Sequence, residues 1–262
     1  MALSRDPHQA RSAYRARDVA ASVAAHSLSA AERHQHEHGQ YVKSAVYGGL
    51  DGIVTTFAVV AGVAGASLSA GVVLILGFAN LIADGLSMAI GDYLSTKSEQ
   101  EYHRAERSRE QWEVEHYPEG EKRELVELYT DKGLPEEDAR AIVEIIARHR
   151  EAWVDVMMVE ELGILASDES PMNNALVTFF SFGLFGLVPL LSYVVVRLIP
   201  GLPVNTFGLA CTMTAATLFA LGALKVKVTG QHWLRSGLET LIIGGVTAAA
   251  AYAVGALLGG IA

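Results

Sequence analysis

The stretch FANLIADGLSMAIGDYLSTKSEQEYHRAERSREQWEVEHYPEGEKRELVEL, residues 78–128, begins as a membrane segment and ends as a comb of carboxylates. Its first half sets Asn80, Asp84 and Met88 in apolar sequence. Its second half carries glutamates at 99, 106, 110, 113, 121 and 124, with no helix breaker before Pro118. One continuous helix is therefore expected to leave a lipid-facing environment and enter an acidic one.

Working outward, 51% of the 262 residues are hydrophobic, and they are gathered in blocks. Apolar runs cover about 44–66, 71–95, 174–198, 204–224 and 236–261, each near the ~20 residues that span a bilayer as a helix. The runs are long and unbroken, unlike the short alternating segments of a β-barrel. The expected fold is an all-α polytopic membrane protein with five transmembrane helices, two within 41–95 and three within 171–262. The charged block 96–170 reads as one inserted soluble domain.

Residues 1–40 read as a mobile tail with at most a short juxtamembrane helix, and they lack the apolar core of a cleavable signal peptide. Within the tail, HQHEH sets His34, His36 and His38 around Glu37. That alternation suits an extended chain better than one helix face, either as a solvated tail or as a weak metal-capturing segment. Cys211 is the lone cysteine and lies in an apolar run, so no disulfide framework exists.

The net charge of −9 is concentrated in the soluble block, which argues against nucleic acid and toward cationic ligands. With five spans, the Lys and Arg residues of the tail, the block and the 225–235 loop (Lys225, Lys227, Arg235) share one side of the membrane. Only Arg197 falls on the other. The positive-inside rule then makes the N-terminus and the 96–170 domain cytosolic.

Ionisable residues inside spans are the strongest functional signals, since one Asp costs ~2.5–3.5 kcal/mol on insertion scales and normally faces a cavity, a partner or an ion. Asp51 lies in the first two turns of the first span. Asn80, Asp84 and Met88, four apart, form one slowly drifting stripe on the second, and Asp92 continues it. The short connection makes these spans an antiparallel pair with Asp51 at a depth comparable to the stripe. Glycines at 48, 49, 52, 62 and 65 allow close backbone approach. Carboxylate oxygen with thioether sulfur is a poor set for Mg²⁺ or Ca²⁺ and suits a softer first-row ion such as Fe²⁺. The plain structural alternative makes the aspartates interhelical hydrogen-bond partners and Met88 core filler.

The soluble block divides into three expected helices: 96–116, 119–131, and one from Pro135 to Leu162 with Ile142, Ile145, Ile146, Trp153, Val156 and Met157 on its apolar side. Glu106, Glu110 and Glu113 share a face of the first, Glu121 and Glu124 a face of the second, and Met157 and Glu161 a face of the third. A solvated face is the simplest reading of such a comb. Like charges at these spacings cost helix stability, however, and a divalent cation would relieve the repulsion. A di-iron oxidase would need a Glu-x-x-His pair from each of two helices. Glu113 and His116 supply one pair, and Glu110 with His103 does not supply the second. No P-loop, HExxH or nucleophile elbow is present, so neither an enzyme nor a prosthetic group is expected. A metal sensor would need no intramembrane ligands.

GGLDGIVTTFAVVAGVAGA (48–66), GFANLIADGLSMAIGDYLSTKSE (77–99) and AWVDVMMVEELGI (152–164) resemble the vacuolar iron transporter family, here in a bacterial-type form. The resemblance covers residues 41–262. It implies export of Fe²⁺ and often Mn²⁺ from the cytosol in exchange for protons, by a homodimer in the cell membrane whose cytosolic three-helix domain collects metal. By position it implies Asp51 and Met88 on the transport path, and Glu110, Glu113, Glu121, Glu124, Met157 and Glu161 on the metal-collecting domain. Where the plant pattern has a glutamate this sequence has Asn80, and where that pattern has a small residue it has Asp84, as if the carboxylate had moved one turn along the stripe.

Overall fold

A computed structural model describes residues 7–25, 36–165, 169–199, 205–224 and 232–260, and among these there are helices and no strands. In chain order they are α1 (Pro7–Ala16), α2 (Val19–Ala25), α3 (His36–Gly65), α4 (Ala70–His116), α5 (Pro118–Asp131), α6 (Glu136–Ile146), α7 (Arg150–Glu160), α8 (Pro171–Leu198), α9 (Thr206–Leu224) and α10 (Trp233–Leu258). Five of them, α3, α4, α8, α9 and α10, are long and apolar enough to cross a membrane. This is an all-α, multi-pass membrane protein. α4 runs unbroken for 47 residues, ~70 Å at 1.5 Å per residue, so the apolar and acidic halves of 78–128 up to His116 are one rod. No Pro or Gly interrupts it between Gly91 and Pro118. Pairs at helical spacing, such as Lys97–Glu101 at 3.8 Å and Arg109–Glu113 at 3.1 Å, support its polar half.

α8 is the scaffold of the membrane region, packing on α3, α4 and α9. Its contact with α3 is backbone to backbone. A Cβ on Gly48 would sit 2.7 Å from the Thr178 carbonyl oxygen, and Gly52 meets the Phe182 backbone in the same way one turn on. At the opposite end Gly62 of α3 faces Gly255 of α10 with equal closeness. Phe57, Val60, Val73, Leu190 and Tyr193 form the apolar core between these helices. α4 stands at the edge: Gly77 and Gly85 face inward, while Ile75, Ile82, Leu86, Ile90 and Leu94 are exposed along the side a bilayer would solvate. Pro189 is buried within α8, which continues past it to Leu198.

The polar half of α4 packs with α5, α6 and α7 around Val114, Leu125, Val143, Trp153, Val154 and Met157. The expected single helix from Pro135 to Leu162 is not formed. The chain breaks after Ile146, where Arg148 N donates to Ile145 O and His149 N to Ile146 O before α7 begins. The break lets α6 lie along α5 and α7 along α4. One straight rod could have covered only one of them. The expected apolar side is met in part: Trp153 and Met157 are buried and Ile146 and Val156 pack on the core, whereas Ile142 and Ile145 are exposed and Val143 and Val154 take buried places. Arg107 pairs with Asp155 and Glu151, and Arg150 reaches Glu115 at 2.7 Å, tying α7 to α4.

Two short helices, α1 and α2, lie within the tail. α1 and α2 pack on each other, Ala13 and Ala25 are buried, and residues 36–38 are helical, against the extended reading of HQHEH. His34, Lys225 and Lys227 lie outside the described residues.

The α3–α8 contact has a direct test. Gly48→Ala should destabilise the protein by about 1–3 kcal/mol through forced separation of the two backbones. Gly183→Ala on α8, where an added Cβ meets nothing within 4 Å, should not. Thermal unfolding of the two purified variants separates these outcomes.

Candidate metal sites in the bundle and the membrane

Three helices bring carboxylates to one point. Glu110 of α4, Glu121 of α5 and Glu161, directly after α7, each offer an oxygen within 4.8 Å of the others. The turn at Tyr117 makes this possible: α4 ends there, Pro118 starts α5, and the reversal folds Glu121 back toward Glu110. Glu161 is placed by the last turn of α7, its amide donating to Met157 O at 3.0 Å. Glu110 has no exposed surface and Glu121 is 4% exposed. Neither Glu110 oxygen, nor Oε2 of Glu121, accepts a hydrogen bond among the described residues. Arg109 is the nearest cation. Its Nη2 lies 2.9 Å from Glu110 Oε1, but its well-directed hydrogen bonds go to Glu106 at 3.0 Å and Glu113 at 3.1 Å.

Burial, reinforced by the charge of Glu161, pushes Glu110 up to about 7. Burial and then Glu124 push Glu121 up to about 7. Glu161 is raised by desolvation and by Glu124. Such carboxylates are costly to ionise together unless a positive charge joins them. Protons are one solution and a divalent cation is the other. Oxygens bound to a single ion at ~2.1 Å lie no more than ~4.3 Å apart, so small rotamer adjustments would close the triad around one. Its all-oxygen donor set accepts several divalent ions without strong preference.

The remaining expected residues take different places. Glu106 and Glu113 are half-buried at the rim, held by Arg109, and Glu124 is exposed while acting on the triad through its charge. Met157 is fully buried in the apolar core of the bundle, one turn before Glu161. Neither candidate histidine of the di-iron alternative joins the triad. The His116 ring stacks on Trp112 at 4.5 Å, and His103 pairs with Glu99 at 4.0 Å.

In the membrane region Asp51 on α3 and Asn80, Asp84 and Met88 on α4 are all half-buried. The Asp51 and Asp84 carboxylates are near enough for their charges to interact. Nδ2 of Asn80 on α4 and Oγ1 of Thr56 on α3 are buried without hydrogen-bond partners among the described residues. Asp92 continues the stripe toward the bundle and accepts a hydrogen bond from Thr178 of α8 at 2.5 Å. Asn174 and Thr178 escaped the sequence reading. Their signal is the one used for α4, polar residues four apart where an apolar run begins.

A sequence profile described as the VIT family matches residues 42–256. The chain belongs to the VIT family. It is 43% identical to a vacuolar iron transporter of Toxoplasma gondii, over 97% of this chain and 89% of that protein. It is 33% identical to a vacuolar iron transporter of Plasmodium falciparum, over 98% and 97% respectively. Vacuolar iron transporter 1 of Arabidopsis thaliana is also 33% identical, over 84% and 88%. These VIT relatives come from apicomplexans and plants, so the bacterial-type expectation is not borne out.

The triad makes the metal-free protein sensitive to pH in a defined direction. With Glu110 and Glu121 raised from 4.5 to about 7, the folded state holds protons that the unfolded chain has already released. Stability is then full below the unfolded value and is lost as pH rises through the folded one, by at most ~3 kcal/mol per carboxylate. Thermal unfolding in chelator should show a lower melting temperature at pH 8 than at pH 5. Glu110→Gln should flatten that slope, and added Mn²⁺ should restore wild-type stability at pH 8.

Proposed function

We propose that this VIT-family protein carries Fe²⁺, and also Mn²⁺, out of the cytosol across the membrane in exchange for protons. The observation that carries the reading is the continuity of α4. The same helix holds Glu110 in the triad and Met88 on the intramembrane stripe, ~33 Å apart along its axis. The bundle gathers the ion and the α3–α4 seam passes it on. Iron as cargo is supported by the relatives, which are named vacuolar iron transporters, and by Met88, whose thioether favours a first-row ion over Mg²⁺ or Ca²⁺.

The bias of basic residues supports a cytosolic bundle and hence outward movement. Proton exchange follows from Asp51 and Asp84. A divalent ion and protons are interchangeable ways of neutralising two neighbouring carboxylates, so metal leaves as protons arrive. The cell-membrane expectation came from the bacterial resemblance. The relatives' names favour a vacuolar membrane, and export from the cytosol has the same geometry in either. A homodimer belongs to the reading on the family resemblance alone, because Gly48, Gly52 and Gly62 pack within one chain.

The test is flux through Asp51→Asn in proteoliposomes. The substitution keeps size and hydrogen bonding and removes the charge. It should leave folding intact and lower Fe²⁺ flux about tenfold or more. Met88→Leu should weaken Fe²⁺ flux more than Mn²⁺ flux. Near-normal Fe²⁺ flux through Asp51→Asn would remove the central residue from this mechanism.

A further inference from the structure

At the bundle end of the spans a cavity of about 460 Å³ opens between α3, α4 and α8. Asp92, Glu99, Glu169 and Lys43 line it, and Met88 reaches it from the membrane side. Its wall includes Asn174, which is 3% exposed. The Asn174 amide nitrogen donates to Glu169 Oε2 at 2.9 Å and lies 3.4 Å from Thr96 Oγ1. A carboxylate only accepts, so the amide orientation is fixed and the carbonyl oxygen points away from Glu169. That oxygen is buried and receives no hydrogen bond among the described residues. Asp92 is similarly half-used: Thr178 donates to its Oδ2 at 2.5 Å, and Oδ1 has no donor among the described residues.

A buried carbonyl oxygen and a carboxylate oxygen on facing helices, both without donors among the described residues, are acceptors that one cation satisfies together. We propose that this vestibule is a further metal site, in which Asp92 Oδ1 and Asn174 Oδ1 hold a divalent first-row ion, with Glu99 at the mouth and the Met88 thioether at the inner end. Resting on the transport reading above, it is a relay between the triad and the Asp51–Asp84 pair. Asp92 lies ~27 Å along α4 from Glu110 and ~12 Å from Asp84, so it divides the descent into two stages. Thr178 and Glu169 are positioning residues, fixing the Asp92 carboxylate and the Asn174 amide. Lys43 is the built-in competitor, partly neutralising the pocket until the ion arrives.

The site can be read without transport. In full-length protein held in nanodiscs, Glu110→Gln, Glu121→Gln and Glu161→Gln together silence the triad, and bound Mn²⁺ is counted by electron paramagnetic resonance. One Mn²⁺ per chain should remain. Asp92→Asn, which still accepts from Thr178, should weaken it about tenfold or more, and Lys43→Met should tighten it severalfold by removing the competing charge. Absence of the residual ion, or its loss with Asp51→Asn but not with Asp92→Asn, would overturn the proposal. Should Asp92→Asn fail to fold, the direction of the Lys43→Met change decides in the same way: unchanged or weaker binding counts against the vestibule. Residual binding in a protein without metal flux would refute the transport reading and leave the vestibule standing. Flux without residual binding would do the reverse.

Discussion

Negative charge held out of water is the constraint around which this protein is arranged. Glu110 and Glu121 are almost wholly buried and converge with Glu161, and one guanidinium, Arg109, stands among the surrounding glutamates. A protein that needed only a stable bundle would replace such a cluster with apolar side chains, which pack without the desolvation penalty. Keeping it means that the positive charge comes from elsewhere, as protons or as a cation. The ion pairs of Arg107 and Arg150 and the apolar core around Trp153 are what hold the helices together against this repulsion.

α4 converts that local problem into a route. Hydrogen-bonded over 47 residues, it fixes Glu110, Asp92, Met88 and Asp84 on one rigid element, so their separations do not depend on a flexible linker. α8 supplies the other wall. Its close backbone contact with α3 at Gly48 and Gly52 brings Thr178 and Asn174 to the same level as Asp92. Acidic groups therefore recur along the helix from bundle to membrane, and Thr178 fixes the direction of the middle one, Asp92.

Much of this was legible in the sequence. Five spans and the unbroken α4 follow from run length and from the lack of a breaker before Pro118. The triad lies within the glutamates and the Met157–Glu161 pair named from helical spacing. Which three converge was not legible, because that depends on the reversal at Tyr117 and on where α7 stops. The break after Ile146 left no trace, since the segment contains no Gly or Pro there and its core positions Val143 and Val154 stay in helical phase across it. The clamp of Arg109 on Glu106 and Glu113 was not legible either, because spacing alone does not say which of its neighbours a guanidinium will hold. Asn174 and Thr178 sit at the start of a strongly apolar run, and their partners Thr96 and Asp92 lie on α4, which only the packed fold brings to them.

The central claim is that the triad gathers metal and the membrane seam moves it. It is tested most directly by metal flux against concentration for Glu110→Gln/Glu121→Gln in proteoliposomes. Loss of a gathering site should raise the half-saturating Fe²⁺ concentration by about tenfold while maximal flux stays near wild type. A collapse of maximal flux with unchanged half-saturation would place the triad in the obligatory translocation step and contradict the account, and so would a curve indistinguishable from wild type.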